Sequence, residues 1–131
     1  MIAVDTNILV RFLVEEDVAQ TDRAEAVLRS RAVLLLKTVL LETEWVLRSL
    51  YRFERTAIED GFTRLLGLPG MEIEDRPAVA LALAWYGQDR LDLADALHLA
   101  SSAQAEAFAT FDQALRRRTR ALAGAIPVMA P

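Results

Sequence analysis

The chain opens on IAVDTN, residues 2–7, a short apolar run that passes directly into polar residues. Ile2 to Val4 is predicted to form a strand, and Asn7 to Val14 carries apolar side chains at helical spacing. Val33 to Leu36 predicts a second strand, followed by a helix that Thr38 can cap and that continues to about Phe53. Short strands that alternate with longer helices are typical of βαβ units and a parallel sheet.

The remainder of the chain continues this alternation. Further helices are predicted at Ala19 to Arg29, Thr56 to Leu66, Pro77 to Tyr86, Asp92 to Ala105 and Gln113 to Leu122, and further strands at Met71 to Glu74, Ala107 to Phe111 and Ile126 to Met129. No linker, repeat or low-complexity stretch interrupts the pattern, so we predict a single domain over residues 1–131. The predicted fold class is α/β, with three layers (α/β/α) and a central, mostly parallel sheet of about four to five strands.

Composition excludes several classes of protein. Of the 131 residues 53% are hydrophobic, enough for a sizeable core, and the absence of cysteine excludes disulfides, thiolate metal sites and cysteine nucleophiles. The net charge of −4 confines any nucleic-acid contact to a local surface. The longest apolar run, Ala78 to Tyr86, is shorter than the roughly 20 residues that span a bilayer, and the N-terminus shows no signal peptide. We therefore expect a cytoplasmic protein without a membrane partner.

Two acidic residues directly follow predicted strands. In open parallel sheets ligands bind outside the carboxyl ends of the strands, and Asp5 and Asp112 both fall at such an end. Glu42 lies in an otherwise apolar stretch of the helix after the second strand, while Glu44 points about 200° away from it. Helical periodicity does not choose between these two glutamates.

Asp92 and Asp95, three residues apart at a predicted helix start, can project toward the same end of the sheet. Each acid also has a purely structural interpretation, because aspartates cap helices and stabilise their first turn. Taken together, converging carboxylates repel one another unless a divalent cation offsets their charge. Mg²⁺ and Mn²⁺ prefer such all-oxygen sites and can promote phosphodiester hydrolysis there.

Four segments of the sequence, in this order, resemble the motifs of the PIN-domain nucleases, in particular the VapC-type toxins. They are Val4-Asp5-Thr6-Asn7, Leu40-Leu41-Glu42, the run DLADALHLA at residues 92–100, and Ala109-Thr110-Phe111-Asp112. The resemblance covers nearly the whole chain. It implies a Mg²⁺-dependent ribonuclease, for which Mn²⁺ can substitute, that is inhibited by a VapB-type antitoxin and is often a homodimer.

The resemblance also assigns roles to individual residues. Asp5, Glu42, Asp95 and Asp112 correspond to the acidic quartet of the family, with Asp5 and Asp95 as the principal metal ligands. Glu42 and Asp112 would complete the site directly or through an intervening water, and Asp92 would be an auxiliary acid. Thr6, Asn7 and Thr110 occupy motif positions beside these acids, where they can orient carboxylates or water.

Other polar and aromatic residues carry weaker signals. His98, the only histidine, is interpreted as a packed helix residue rather than a general base. Arg116, Arg117 and Arg118 could contact RNA phosphates or form a solvated helix face. The aromatic residues on predicted helices are interpreted as core or dimer interface, namely Trp45, Tyr51, Phe53, Trp85 and Tyr86. An apolar groove for the antitoxin is expected between the second helix and the helix after the second strand.

Competing functions lack their required residues. A phosphatase of the Asp-x-Asp type needs an aspartate where this chain has Asn7, and a receiver domain needs a lysine after a late strand, whereas the only lysine is Lys37. The nucleotide-binding and serine-hydrolase motifs GxxxxGK[ST] and GxSxG are absent. The alternative that stays open is a non-catalytic PIN-fold module that binds RNA or an antitoxin.

Overall fold

The computed structural model describes all 131 residues, which form two compact units, Met1–Glu74 (unit 1) and Asp75–Pro131 (unit 2). Unit 1 contains β1 (Ile2–Ala3), α1 (Thr6–Val14), α2 (Val18–Ser30), β2 (Val33–Leu35), α3 (Lys37–Ser49), α4 (Arg55–Leu66) and β3 (Met71–Ile73). Unit 2 contains α5 (Arg76–Gly87), α6 (Leu93–Ala100), β4 (Phe108–Ala109), α7 (Gln113–Arg118) and β5 (Val128–Met129). None of these helices combines the length and the apolar character needed to cross a membrane.

Unit 1 is built on a three-stranded parallel sheet in the order β1-β2-β3. Ile2 pairs with Val33, and Val33 pairs in turn with Met71, so β2 is the central strand. Val33 and Leu35 of this strand are fully buried, as expected for a strand covered by helices. Because β1 and β2 are adjacent and parallel, the helices that follow them, α1 and α3, both begin at the carboxyl edge of this sheet.

The helices of unit 1 bury one apolar face each around this sheet. Fully buried side chains come from α1, α2, α3 and α4, and the largest are Leu9, Leu28, Leu40, Leu47, Ile58, Phe62 and Leu65. Each such leucine or phenylalanine contributes about 1.5–3 kcal/mol by leaving water. This packing fixes α1 against α3 and so sets the distance between the residues that each helix carries.

Unit 2 is built around the α5–α6 pair. Small side chains at the contact, including Ala82 and Ala96, are fully buried and allow the two helices to approach closely. The indole N–H of Trp85 donates to the carbonyl of Ala123 at 3.1 Å, which ties α5 to the segment after α7. Strands β4 and β5 pair in parallel, with Phe108 opposite Val128.

Five strands with only parallel pairing confirm the predicted α/β class. Their hydrogen bonds form two ladders, one in each unit, where the sequence predicts a single sheet. Strands β4 and β5 are two residues long, and the amides of Phe108 and Thr110 are both used to bond the β5 segment, at 2.8 and 3.0 Å. The ladder hydrogen bonds of these two short strands therefore join them to each other.

Four predicted helix ends are wrong, and one of them is the C-terminus of α3, which lies at Ser49 rather than at about Phe53. The N-cap of α3 is Leu36 rather than Thr38, with no side-chain cap bond of its own. The amide of Lys37 instead donates to Glu74 Oε1 at 2.8 Å, a partner 37 residues away that local pattern cannot reveal. Helix α6 ends at Ala100 rather than Ala105, and α7 ends at Arg118 rather than Leu122.

Candidate active site

Asp5 lies at the carboxyl edge of the unit 1 sheet, two residues after β1. It is the N-cap of α1, and its Oδ1 accepts a hydrogen bond from the amide of Thr6 at 2.8 Å. An N-cap aspartate satisfies one of the unpaired amides at the helix start. The bond uses one carboxylate oxygen and leaves Oδ2 of this exposed residue available to a ligand.

A hydrogen bond joins the two helices that begin at this edge. The hydroxyl of Thr6 on α1 donates to Glu42 Oε1 on α3, although the two residues are 36 positions apart in the chain. Thr6 is buried and Glu42 is exposed, so the bond connects the packed interface to a solvent-facing carboxylate. In this way Thr6 touches both acids, through its amide to Asp5 and through its hydroxyl to Glu42.

Asp5 and Glu42 line a common cleft between α1 and α3. Its volume is about 410 Å³, within the range of roughly 300–1,000 Å³ that is usual for ligand sites. The lining consists of acids, one cation and an apolar and aromatic wall, namely Asp5, Thr6, Asn7, Val10, Arg11, Glu42, Val46, Leu50 and Tyr51. The predicted acids of unit 1 therefore share one solvent-accessible site.

The structure distinguishes the two glutamates of α3. The side chain of Glu44 is only 4% exposed and accepts from Arg48 Nε at 2.9 Å, one helical turn away. Glu44 is thus held inside the protein by an ion pair, while Glu42 faces the cleft. Helical periodicity left both glutamates open, and they differ in that Glu44 is buried and paired with Arg48 whereas Glu42 lines the cleft.

Unit 2 contains the other three predicted acids, and two of them cap helices. Asp92 Oδ1 accepts from the amide of Asp95 at 2.9 Å at the start of α6, and Asp112 Oδ1 accepts from the amide of Leu115 at 3.0 Å at the start of α7. Asp95 lies in the first turn of α6 and is partly buried. The structural interpretation is therefore correct for Asp92 and Asp112, and each cap bond occupies Oδ1 of its carboxylate.

The acids of unit 2 influence one another electrostatically. Burial raises the pKa of Asp95 above its ordinary value, and the charges of Asp92 and Asp112 raise this pKa further. A hydrogen bond with Asp92 acts in the same direction, and His98 alone acts in the opposite one. A raised carboxyl pKa means that negative charge at this position is unfavourable until a cation neutralises it.

Thr110 and Arg116 hold the loop that carries Asp112. The amide of Asp112 donates to the Thr110 hydroxyl at 3.1 Å, and Arg116 Nη1 donates to the Thr110 carbonyl at 2.8 Å. Arg116 is therefore used inside unit 2, unlike the exposed Arg117 and Arg118. Of the predicted RNA-binding arginines, only these last two face solvent.

Several other predicted environments differ in the structure. His98 is exposed rather than packed, because it lies on the outer face of α6 one turn from Asp95. Trp85 and Tyr86 belong to the core, but Trp45 is 52% exposed and is not a core residue. Sequence reasoning overlooked Phe111, which is 86% exposed. Phe111 lies between the polar residues Thr110 and Asp112 at the end of a predicted strand, and this position could have predicted its exposure.

The groove expected beside α2 has a different second wall. It lies between α1 and α2 rather than between α2 and α3, and has a volume of about 440 Å³. Ile8, Ala24 and Val27 make it largely apolar, and Arg11 and Arg23 lie in its lining. Helix α3 instead packs on α1, which displaces the groove to the outer side of α1.

The available donors are carboxylate and hydroxyl oxygens, which is the set that Mg²⁺ and Mn²⁺ prefer. Within either unit, no three Asp, Glu or His side chains converge on one point where they could hold a metal ion. Unit 1 supplies Asp5 and Glu42 together in one cleft, and unit 2 supplies Asp95 beside Asp92 and Asp112.

Comparison with known proteins agrees with this chemistry. The sequence matches the PIN domain family over residues 2–121, a range that includes both units and every predicted acid. No curated protein matches the chain. PIN domains are generally nucleases that bind nucleic acid and use divalent metal ions, and their α/β fold with a parallel sheet agrees with the strands described above. With the match extending over nearly all of its length, the chain belongs to the PIN domain family.

Proposed function

We propose that this chain is a Mg²⁺-dependent endoribonuclease and that residues 1–131 act as a single PIN domain. In this proposal the acids of both units serve one centre, with Asp5 and Asp95 as principal ligands and Glu42 and Asp112 completing the set. The family match over residues 2–121 supports it, since one family pattern extends through both units. The order of the four acidic motifs, which resembles that of the VapC-type toxins, supports RNA as the substrate.

The observation that carries the proposal is the acidic cleft of unit 1. Two carboxylates, Asp5 and Glu42, lie at the carboxyl edge of a parallel sheet, joined by the buried Thr6. This edge is where open α/β sheets bind their ligands. A cleft with acids at its mouth and an apolar wall beyond them suits a cation at one end and a nucleotide at the other.

The residues of the chain have separable tasks in this centre. When bound, Mg²⁺ or Mn²⁺ supplies positive charge that stabilises the attacking and leaving oxygens of a phosphodiester displacement. Thr6 orients Asp5 and Glu42, and Thr110 fixes the loop of Asp112. Asp92 caps α6 and adds negative charge beside Asp95, and Asn7 lines the cleft as an uncharged donor.

We further propose that the nuclease is the cytoplasmic toxin of a VapBC-type pair and forms a homodimer. The α1–α2 groove, apolar with two arginines, is a suitable surface for a VapB-type antitoxin segment. The exposed Trp45 of α3 provides apolar surface for a second copy of the chain. Co-expression with the adjacent reading frame, followed by native mass measurement, tests both partners.

The nuclease proposal is tested by digestion of total cellular RNA with the purified chain. We expect discrete products with Mg²⁺ or Mn²⁺, none with EDTA, and none from Asp5→Asn under any condition. Isothermal titration with Mg²⁺ on both proteins accompanies the digestion. Intact RNA in every reaction, together with metal binding that does not depend on Asp5, would favour the non-catalytic binding module instead.

A further inference from the structure

Arg11 is the only cation that lines the cleft of Asp5 and Glu42. It lies in the last turn of α1 and is exposed. The ion pairs of the neighbouring helices join Arg29 to Glu25 and Arg48 to Glu44, and Arg11 takes part in neither. An arginine in an acidic cleft that pairs with none of the acids retains all five of its N–H donors for a ligand.

Helical register places Arg11 farther from the start of α1 than Asp5 and Asn7. Asn7 and Arg11 are four residues apart on α1, and Glu42, Val46 and Leu50 repeat at the same spacing on α3, so the two rows face each other. Arg11 follows Asp5 by six residues, which corresponds to roughly 9 Å along the helix axis. Arg11 and Asp5 therefore lie more than one helical turn apart along the same cleft, far enough to contact different parts of one strand.

The wall beside Arg11 changes from acidic to apolar. Val46, Leu50 and Tyr51 line the cleft beyond Glu42, and Leu50 is 64% exposed. A planar aromatic ring beside an arginine is a common surface for an unpaired nucleotide, because the ring stacks with the base while the guanidinium binds phosphate. Two acids, an arginine and an aromatic ring therefore line a single cleft.

We propose that Arg11 binds the RNA phosphate next to the one that is cleaved, and that Tyr51 contacts the nucleoside between them. This inference rests on the proposed nuclease function and assigns part of its substrate site. Arg11 would then fix the register of the strand relative to Asp5 and Glu42. Guanidinium is suited to this task because its planar donors match two phosphate oxygens.

The test measures RNA binding and cleavage separately. Binding of a fluorescent single-stranded RNA is followed by anisotropy in EDTA at several salt concentrations, so that no cleavage occurs. Each phosphate contact contributes about 0.7 to the slope of log K against log salt for single strands, so Arg11→Met should reduce this slope by about 0.7. In Mg²⁺, KM should rise roughly 10- to 100-fold while kcat changes little.

A matched control removes the same charge elsewhere. Arg31 is exposed and lies two residues before β2, so it is at the opposite edge of the sheet from the cleft. Arg31→Met should have the same salt slope and the same KM as the wild type. Arg11→Lys keeps the positive charge but not the planar donors, so its salt slope should be close to that of the wild type while its KM stays partly raised. Equal effects of Arg11→Met and Arg31→Met would show that RNA binding depends only on the total charge of the protein, and this result would overturn the inference.

Other outcomes separate this inference from the proposed function. A loss confined to kcat, or to thermal stability with an unchanged slope, overturns the inference, because Arg11 would then act on the acids or on the helix end. If the wild type cleaves and Arg11→Met matches it in KM and slope, the nuclease stands and the inference fails. If no cleavage occurs but Arg11→Met still lowers the slope, the contact with RNA stands and the nuclease proposal fails.

Discussion

The two units present their acids in different environments. In unit 1, Asp5 and Glu42 are held by the amide and hydroxyl of one neutral residue, Thr6, and an arginine lies in the same cleft. In unit 2, Asp92, Asp95 and Asp112 lie close enough for the pKa of Asp95 to be raised by burial and by the other two charges. The only opposing influence there is His98.

This difference indicates a division of tasks. The acids of unit 1 are positioned by hydrogen bonds that do not require a cation. The positions of Asp5 and Glu42 are therefore set by the protein itself. The acids of unit 2 repel one another, so a positive charge bound beside them would lower the free energy of this cluster.

The largest expected effects come from removing one acid in each unit. Under the proposed function, Asp5→Asn and Asp95→Asn should each lower the rate of RNA cleavage by roughly 10²- to 10³-fold or more, because each would remove charge that positions the cation at the reacting phosphate. If both units serve one centre, the double variant should be no slower than the slower single variant. Single-turnover rates at saturating Mg²⁺ provide this comparison.

Asp17→Asn is the matched control for these variants. Asp17 accepts a hydrogen bond from the amide of Gln20 at 3.1 Å at the start of α2, and it lies outside the cleft. The same substitution at Asp17 therefore changes a helix cap but leaves the proposed active site intact. Its cleavage rate should equal that of the wild type. If the fold losses in cleavage rate of Asp5→Asn and Asp95→Asn multiply in the double variant, the two units act independently.

A smaller effect is expected from the hydroxyls that hold the acids. Thr6→Val removes the bond to Glu42 and should weaken Mg²⁺ affinity by about 10- to 100-fold, as outer-sphere changes do. Thr110→Val should cost less than about tenfold, because Asp112 stays anchored by the amide of Leu115. Metal titrations of both variants measure the contrast, and equal losses would contradict the assignment of positioning to unit 1.

The smallest effect concerns stability and pH. A raised native pKa means that folded Asp95 holds more protons than the unfolded chain between the ordinary value of 3.8 and its native value, so its contribution to stability falls as pH rises through that window. Asp95→Asn lacks this loss, and its stability relative to the wild type should grow from pH 4 to pH 7 by up to about 0.5 kcal/mol.

Denaturant unfolding of both proteins in EDTA measures this difference. EDTA is needed because a bound cation reverses the sign of the charge effect. A stability difference that stays constant or shrinks with rising pH would mean that the charges of unit 2 do not destabilise Asp95. Saturating Mg²⁺ should remove the advantage of Asp95→Asn, because only the wild type then gains from the metal.

Much of the fold follows from local pattern. Helix α4, for example, is predicted at Thr56 to Leu66 and observed at Arg55–Leu66, since its apolar residues recur at helical spacing. Helix α6 is predicted too long because residues 100–107 are rich in alanine, which favours helix. The hydroxyl of Ser102 instead donates a hydrogen bond to the carbonyl of His98 at 2.7 Å. The amide of Ala105 donates to the carbonyl of Ser102 and closes a turn. Such side-chain bonds compete with a helix.

The candidate site is predictable in composition but not in contacts. The positions of Asp5 and Asp112 after strands, and the spacing of Asp92 and Asp95, are visible in the sequence. The bond between Thr6 and Glu42 and the bond between Lys37 and Glu74 each join residues more than 30 positions apart. Those contacts depend on how helices pack, as does the choice between Glu42 and the buried Glu44.

Helix capping by the acids has an evolutionary consequence. Asp5, Asp92 and Asp112 each accept a backbone amide at a helix start, and asparagine fills that role about as well as aspartate. A single transition in the first codon position converts one into the other. Chains that keep the fold but lose the carboxylate charge are therefore one mutation away, and such a change would alter the chemistry of the site without producing a misfolded protein.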